Sequence, residues 1–225
     1  MNKLILFDID GTLVSMGGAG TKAMNLAFNE LFSIDDAFKE IPMAGKTDIQ
    51  IMKEGLKLHG LPYIDGNVDR MKNGYLKFLQ EEVNNPFKHL KPGIINSLEL
   101  FNKMNMPIGL LTGNLENGAK IKLGTFNLNK YFLEGAFGSD DEDRDNLLPI
   151  AIAKFAKKGL RFTPKTCIIV GDTPRDVQCA KVHGAACIAV ATGPYSKEDL
   201  LKTDADVVVS SFEETEKYMP FITEY

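Results

Sequence analysis

Apolar residues along this chain fall into two kinds of run. Leu4-Ile5-Leu6-Phe7 is an unbroken bulky stretch, the signature of a strand buried on both faces of a sheet. Between Ser15 and Lys88 the apolar positions recur at helical spacing instead. Thr21 fits the N-cap of a helix whose apolar face is Met24, Leu26, Ala27, Leu31 and Phe32. Asp48 can cap a helix over 49–59, closed by Gly60, and Asn67 can cap one from Val68 to about Val83. No buried strand is predicted in this region. From Pro92 onward, short apolar runs alternate with helical patterns. The pattern predicts strands over 107–112, 135–138, 167–170, 186–191 and 207–209. It predicts helices over 93–104, 115–126, 147–158 and 175–183, the last closed by Gly184. Such alternation implies right-handed crossovers and a parallel sheet. The expected fold is therefore α/β: a doubly wound, Rossmann-like core of residues 1–14 and 89–225, with an all-helical insert over 15–88.

Polar residues gather where the strands end. The first apolar run closes in Asp8-Ile9-Asp10-Gly11, and alternation in an extended chain turns both aspartates to one side. Two close carboxylates raise each other's pKa unless a cation or a proton lies between them. Gly11 allows a sharp exit of the backbone. The run 107–111 ends in Thr112-Gly113-Asn114, just before a helix whose free N–H groups suit a phosphate, although Asn114 alone reads as an ordinary N-cap. The run 167–170 ends in Gly171-Asp172-Thr173-Pro174-Arg175-Asp176. Pro174 suits the first helical position, and Thr173 with Asp176 has capping-box spacing, which gives Asp176 a structural role as well. Asp172 precedes the cap and has no such explanation. Between these motifs, the acids of 139–145 read as a solvated run, with Arg144 as its one basic residue. The glycines of 15–20 are not a phosphate-binding loop, because no Lys-Ser or Lys-Thr pair follows in register; they read as a hinge.

Composition narrows the options. With 225 residues, 44% hydrophobic and 25% charged, the chain has ample material for a core. A net charge of −4 gives no support to binding of nucleic acid or of an anionic membrane. Three cysteines without metal spacing argue against a disulfide framework. No apolar run approaches the roughly 20 residues of a spanning helix, and no signal peptide precedes the first strand. The expectation is a cytoplasmic protein, monomeric or homodimeric.

Taken together, Asp8-Ile9-Asp10-Gly11-Thr12-Leu13, Thr112-Gly113-Asn114 and Gly171-Asp172-Thr173-Pro174-Arg175-Asp176 resemble the haloacid dehalogenase-like hydrolases, most of which are phosphatases. The helical insert is similar to that family's cap domain. Its size and position, with Gly45-Lys46-Thr47-Asp48, look most similar to phosphoglycolate phosphatase-like members. Where the family usually has a lysine, this chain offers Arg144, ahead of its helix, or Lys154 and Lys157-Lys158 within one.

The resemblance implies a set of roles. Asp8 is the nucleophile that forms an aspartyl-phosphate, and Asp10 is the general acid and base. Thr112 and Arg144 stabilise the phosphoryl oxygens. Mg²⁺ is expected on Asp8, Asp172 and the backbone carbonyl of Asp10, supported by Asp176. Gly11, Thr12, Gly113 and Asn114 line the substrate site, and Lys46 selects a small phosphorylated metabolite. A sugar-phosphate mutase and a phosphonate hydrolase are alternatives within the family; Asp10 argues against a dehalogenase. A phospho-acceptor signalling module is the alternative from another class.

Overall fold

Strand β1 (Leu4–Phe7) leads through a two-residue strand, β2 (Val14–Ser15), into three helices. These are α1 (Ala19–Phe32), α2 (Asp48–Leu58) and α3 (Asp65–Glu82). A second short strand, β3 (His89–Leu90), and helix α4 (Ile94–Lys103) bring the chain back to β4 (Ile108–Thr112). Then follow α5 (Glu116–Gly124), β5 (Gly135–Phe137), α6 (Leu147–Lys157), β6 (Cys167–Gly171) and α7 (Pro174–Lys181). The chain ends with β7 (Ala186–Val190), α8 (Lys197–Leu200), β8 (Val207–Val209) and α9 (Thr215–Glu224). The computed structural model describes residues 3–62 and 64–225, so the first two residues of the expected core lie outside it.

Six strands form one parallel sheet in the order β5-β4-β1-β6-β7-β8, the doubly wound arrangement that alternating strands and helices imply. β1 lies at the centre, which is why all four of its side chains are fully buried. Successive residues face opposite layers. Ile5 and Phe7 join the core on the side of α1 to α5, where Phe7 packs against Phe101, Phe132 and Phe212 at 6.0 to 6.1 Å. Leu4 and Leu6 join the layer covered by α6 and α7. Register sets Phe7 beside both Leu110 and Val170. The carboxyl ends of β1, β4 and β6 are thus nearly level, and the residues after them emerge at one edge, where open α/β sheets bind ligands.

Between β2 and β3 the regular elements among the described residues are all helices. Helices α1 and α3 pack along each other, and Gly74 allows close approach to Ala27. Helix starts differ from the sequence pattern for local reasons. α1 begins at Ala19 behind Gly18, which adopts φ 84°, while the Thr21 hydroxyl turns to Met43. Thr47, rather than Asp48, caps α2 in a capping box with Gln50, which leaves the Asp48 carboxylate free for other partners. α3 starts at Asp65, and the Asn67 amide donates to the Pro62 carbonyl. The antiparallel pair β2–β3 was too short for periodicity to reveal. Among the described residues, no helix is long and apolar enough to cross a membrane.

Candidate active site

A cavity of about 430 Å³ opens where β1, β4 and β6 end, between the sheet edge and helices α1 to α3. Asp8 follows β1 directly and is 5% exposed. Gly11 then turns the chain with φ 85°, and a Cβ there would strike the Asp172 carboxylate. The turn brings Thr12 beneath the site, where its hydroxyl donates to Asp172 Oδ1 at 2.8 Å. Gly193, on the loop after β7, has no room for a Cβ against the same carboxylate.

Three buried carboxylates meet here. Oxygens of Asp8, Asp172 and Asp176 all lie within 4.8 Å of one another. Asp176 accepts from the backbone N–H of Thr173 at 3.0 Å, as the capping box requires, and also from its hydroxyl at 2.7 Å. Arg144 is the buried counter-charge. Its Nη2 hydrogen-bonds Asp176 and lies 3.3 Å from Asp8, and its Nη1 donates to the Gly45 carbonyl at 3.2 Å. Burial pushes the Asp8 carboxyl up to about 6 against the opposing pull of Arg144. Burial, with Asp8 and Asp176 alongside, pushes Asp172 well above the usual carboxylate range. One guanidinium cannot balance three carboxylates at once. A buried cluster of oxygens with surplus negative charge is a donor set for a hard divalent cation, so the residues present fit one.

Asp10 is differently placed. Its side chain is 44% exposed to the cavity, and Oδ2 accepts from Asn114 Nδ2 at 2.9 Å and from Lys122 Nζ at 2.6 Å. The same ammonium donates to Asn114 Oδ1 at 2.6 Å, and Asn114 Nδ2 reaches the Thr112 hydroxyl at 2.8 Å. Asn114 is thus no N-cap, since Leu115 occupies that position. It ties Asp10 to the end of β4.

The loop before α2 is sewn to the sheet by main-chain contacts. Asp48 N donates to the Gly113 carbonyl at 2.8 Å, and the Thr47 hydroxyl donates to the Glu142 carbonyl at 2.8 Å. A Cβ on Gly113 would collide with the Lys46 carbonyl, and one on Gly138 with the Gly113 carbonyl. The Asp48 carboxylate turns away from its own helix to accept from Leu115 N at 2.8 Å. Burial raises its pKa to about 6, although Lys122 favours the ionised form. Lys46 lines the cavity, and its amine pairs with Glu54 at 2.5 Å.

Asp8, Asp10, Gly11, Thr112, Gly113, Asn114, Arg144 and Asp172 thus line one cavity, with Thr12 and Asp176 packed behind the acids. Lys154 pairs with Asp140 at 2.6 Å and Lys158 with Glu134 at 3.6 Å, so Arg144 is the cation beside Asp8. Among the lining residues that did not emerge from the sequence are Lys122, Tyr75 and Lys91. Only Lys122 left a trace there. Leu115, Ala119, Lys122 and Leu123 form one helical stripe, so a lysine falls on the buried face of α5. A buried lysine needs a partner, and carboxylates were the available ones.

Comparisons with known proteins point to one family. The family model described as haloacid dehalogenase-like hydrolase matches residues 2–184. The chain is 26% identical to the probable phosphatase IndB of Dickeya dadantii, over 95% of this chain and 92% of that one. It is 24% identical to the phosphoglycolate phosphatase of Salmonella typhi, over 94% and 92% respectively. CbbY from Rhodobacter sphaeroides, solved in complex with phosphate, superposes with a TM-score of 0.76 at 18% identity, covering 95% and 96% of the two chains. A hydrolase from Pseudomonas syringae gives 0.70 at 19% identity, covering 100% and 99%.

Proposed function

The chain belongs to the haloacid dehalogenase-like hydrolase family, and on that premise we propose that it is a Mg²⁺-dependent phosphatase of small phosphate monoesters. The observation that carries this is the pairing of two acids in one cavity. Asp8 sits deep among charges, while Asp10 is half open and held at the cavity wall by Lys122 and Asn114. In this reading the first carboxylate attacks and the second moves a proton.

In this reading an oxygen of Asp8 forms a bond to phosphorus as the ester P–O bond breaks, giving an aspartyl-phosphate. Asp10 delivers a proton to the departing alkoxide and then takes one from the water that attacks phosphorus. The second attack releases phosphate and restores the Asp8 carboxylate. Arg144 and Thr112 face the non-bridging oxygens, where phosphoryl transfer needs charge neutralised. Asp8, Asp172 and the Asp10 carbonyl would hold Mg²⁺, with Asp176 in support. When bound, the ion supplies the positive charge that lets a dianion approach these acids. Residues 15–88 act as a cap over a core of 1–14 and 89–225. The cap excludes water and lets Lys46, beside Gly113, take part in choosing the substrate.

The test is hydrolysis of p-nitrophenyl phosphate and a panel of phosphate monoesters, with Mg²⁺ and with excess chelator. Turnover is expected only with the ion. Full activity in chelator removes the metal from the reading, and no turnover on any ester removes the reading itself.

A further inference from the structure

Beyond the acids, the cavity contains a polar group that neither the acid cluster nor the proton-transfer pair engages. Tyr75, on α3, is fully buried, and its hydroxyl has no hydrogen-bond partner among the described residues. It lines the cavity, as does Lys122. The two meet at Gly20 of α1: a Cβ there would lie 3.6 Å from Lys122 Nζ and 3.8 Å from the Tyr75 hydroxyl. Burial keeps the phenol protonated. The Lys122 ammonium can only donate to that oxygen, so no group among the described residues takes the phenolic proton. A buried donor left unsatisfied is costly, and a bound acceptor would remove that cost.

The charge at this spot decides what the acceptor is. Lys122 is the ammonium beside Tyr75, and it is already shared between Asp10 and Asn114 Oδ1, each at 2.6 Å, with the charge of Asp48 also acting on it. The amine of Lys46 is paired with Glu54. The Lys122 charge is matched by Asp10, with Asp48 acting on it as well, so no surplus positive charge remains beside Tyr75 for an anion. A second carboxylate here would face Asp10 and Asp48 in a desolvated site, which is unfavourable. A hydroxyl can accept from Tyr75 and donate in turn to a carboxylate.

Resting on the phosphatase reading, we infer that Tyr75 and Lys122 form a leaving-group subsite for an uncharged hydroxyl, making the substrate a phosphate monoester of a diol, polyol or sugar. The ester oxygen must reach Asp10, whose carboxylate Lys122 also holds. Lys122 neighbours both groups, so the hydroxyl belongs on a carbon close to the ester oxygen. A carboxylate in the same position, as in 2-phosphoglycolate, is disfavoured by this charge arrangement.

The experiment compares kcat/KM of the full chain on 2-hydroxyethyl phosphate, ethyl phosphate and 2-phosphoglycolate, for the wild type and Tyr75→Phe. The wild type is expected to prefer 2-hydroxyethyl phosphate about tenfold or more over each of the others. In Tyr75→Phe the preference over ethyl phosphate should shrink at least about threefold; a purely structural tyrosine would lower both substrates together and leave that ratio in place. A ratio moving less than this, or a wild-type preference for 2-phosphoglycolate or for ethyl phosphate, overturns the inference. The wild-type comparison stands even if Tyr75→Phe does not fold. If p-nitrophenyl phosphate is also refused, the phosphatase reading has failed and takes this inference with it. If it is hydrolysed without the expected preference, only the inference has failed.

Discussion

At the sheet end of the cavity, Asp8, Asp172, Asp176 and Arg144 are all 5% exposed or less, held by strand ends and a capping box. At the helical end, Asp10 is 44% exposed at its side chain, and its neighbours come from α5, α3 and the loop before α2. The first end concentrates unlike charges that cannot relax, which suits binding a phosphoryl group of fixed shape. The second arranges donors and acceptors around open space, which suits reading a variable group. In the proposed reading the strand ends carry the chemistry and the helical end chooses what it acts on.

The largest expected effect breaks the sheet end. Asp8→Asn should lower turnover at least about 10⁴-fold on every ester, because it removes the attacking group. It should also keep or raise thermal stability, since it removes a desolvated charge. Activity assays soon after purification, before deamidation, together with a melting curve check both halves. Persistent turnover would assign the nucleophile elsewhere.

Arg144→Met comes next. It leaves Asp8, Asp172 and Asp176 without their buried cation, and breaking such a network by removing one partner costs about 3–5 kcal/mol. The urea midpoint without Mg²⁺ should fall accordingly, and Mg²⁺ should restore part of it. An unshifted midpoint would mean that the acids share protons instead of using Arg144.

Asp48 tests the other end. Its pKa in the folded protein is about 6, against an ordinary 3.8, because burial disfavours its charged form even with Lys122 near. Ionisation of Asp48 therefore costs the fold nothing below pH 3.8 and its full penalty above pH 6. Asp48→Asn should accordingly gain on the order of 1–3 kcal/mol at pH 7.5 and nothing at pH 3. Urea melts of both proteins at the two pH values decide it; an equal shift at both would assign the effect to the Leu115 N–H bond instead.

The smallest effect belongs to Lys46. With its amine held by Glu54, Lys46→Ala should cost about 1 kcal/mol in kcat/KM for the preferred substrate, and less for p-nitrophenyl phosphate. A uniform loss over the whole panel would make the residue structural.

The same contrast explains what could be read from the chain alone. Asp8, Thr112 and Asp172 each follow an unbroken apolar run, so local pattern placed them at strand ends and alternation gathered them at one edge. Asp8 and Asp176 stand 168 positions apart, yet the parallel topology was enough to unite them. The helical end offers no such rule. Tyr75 looks like any core aromatic on an amphipathic helix, and its unpaired hydroxyl exists only through the packing of α3 against α1 and α5. Thr47 took the cap that Asp48 could have filled, because the two compete for one position and only the tertiary bond to Leu115 decides between them. Lys91, at the end of β3, reaches the Thr192 carbonyl at 2.6 Å across 101 positions, a pairing that no local pattern encodes.

Gly113, Gly138, Gly171 and Gly193 take part in no chemical step, yet each lies where a single added carbon would overlap a neighbour: the Lys46 carbonyl, the Gly113 carbonyl, Asp176 and Asp172. In a saturation mutagenesis screen scored by survival of activity, these four should rank with the aspartates as intolerant of every substitution. Intolerance along this chain would then trace two overlapping maps, one of reactivity and one of elbow room. A residue ranking taken from such a screen separates them only when each variant's abundance is measured beside its rate.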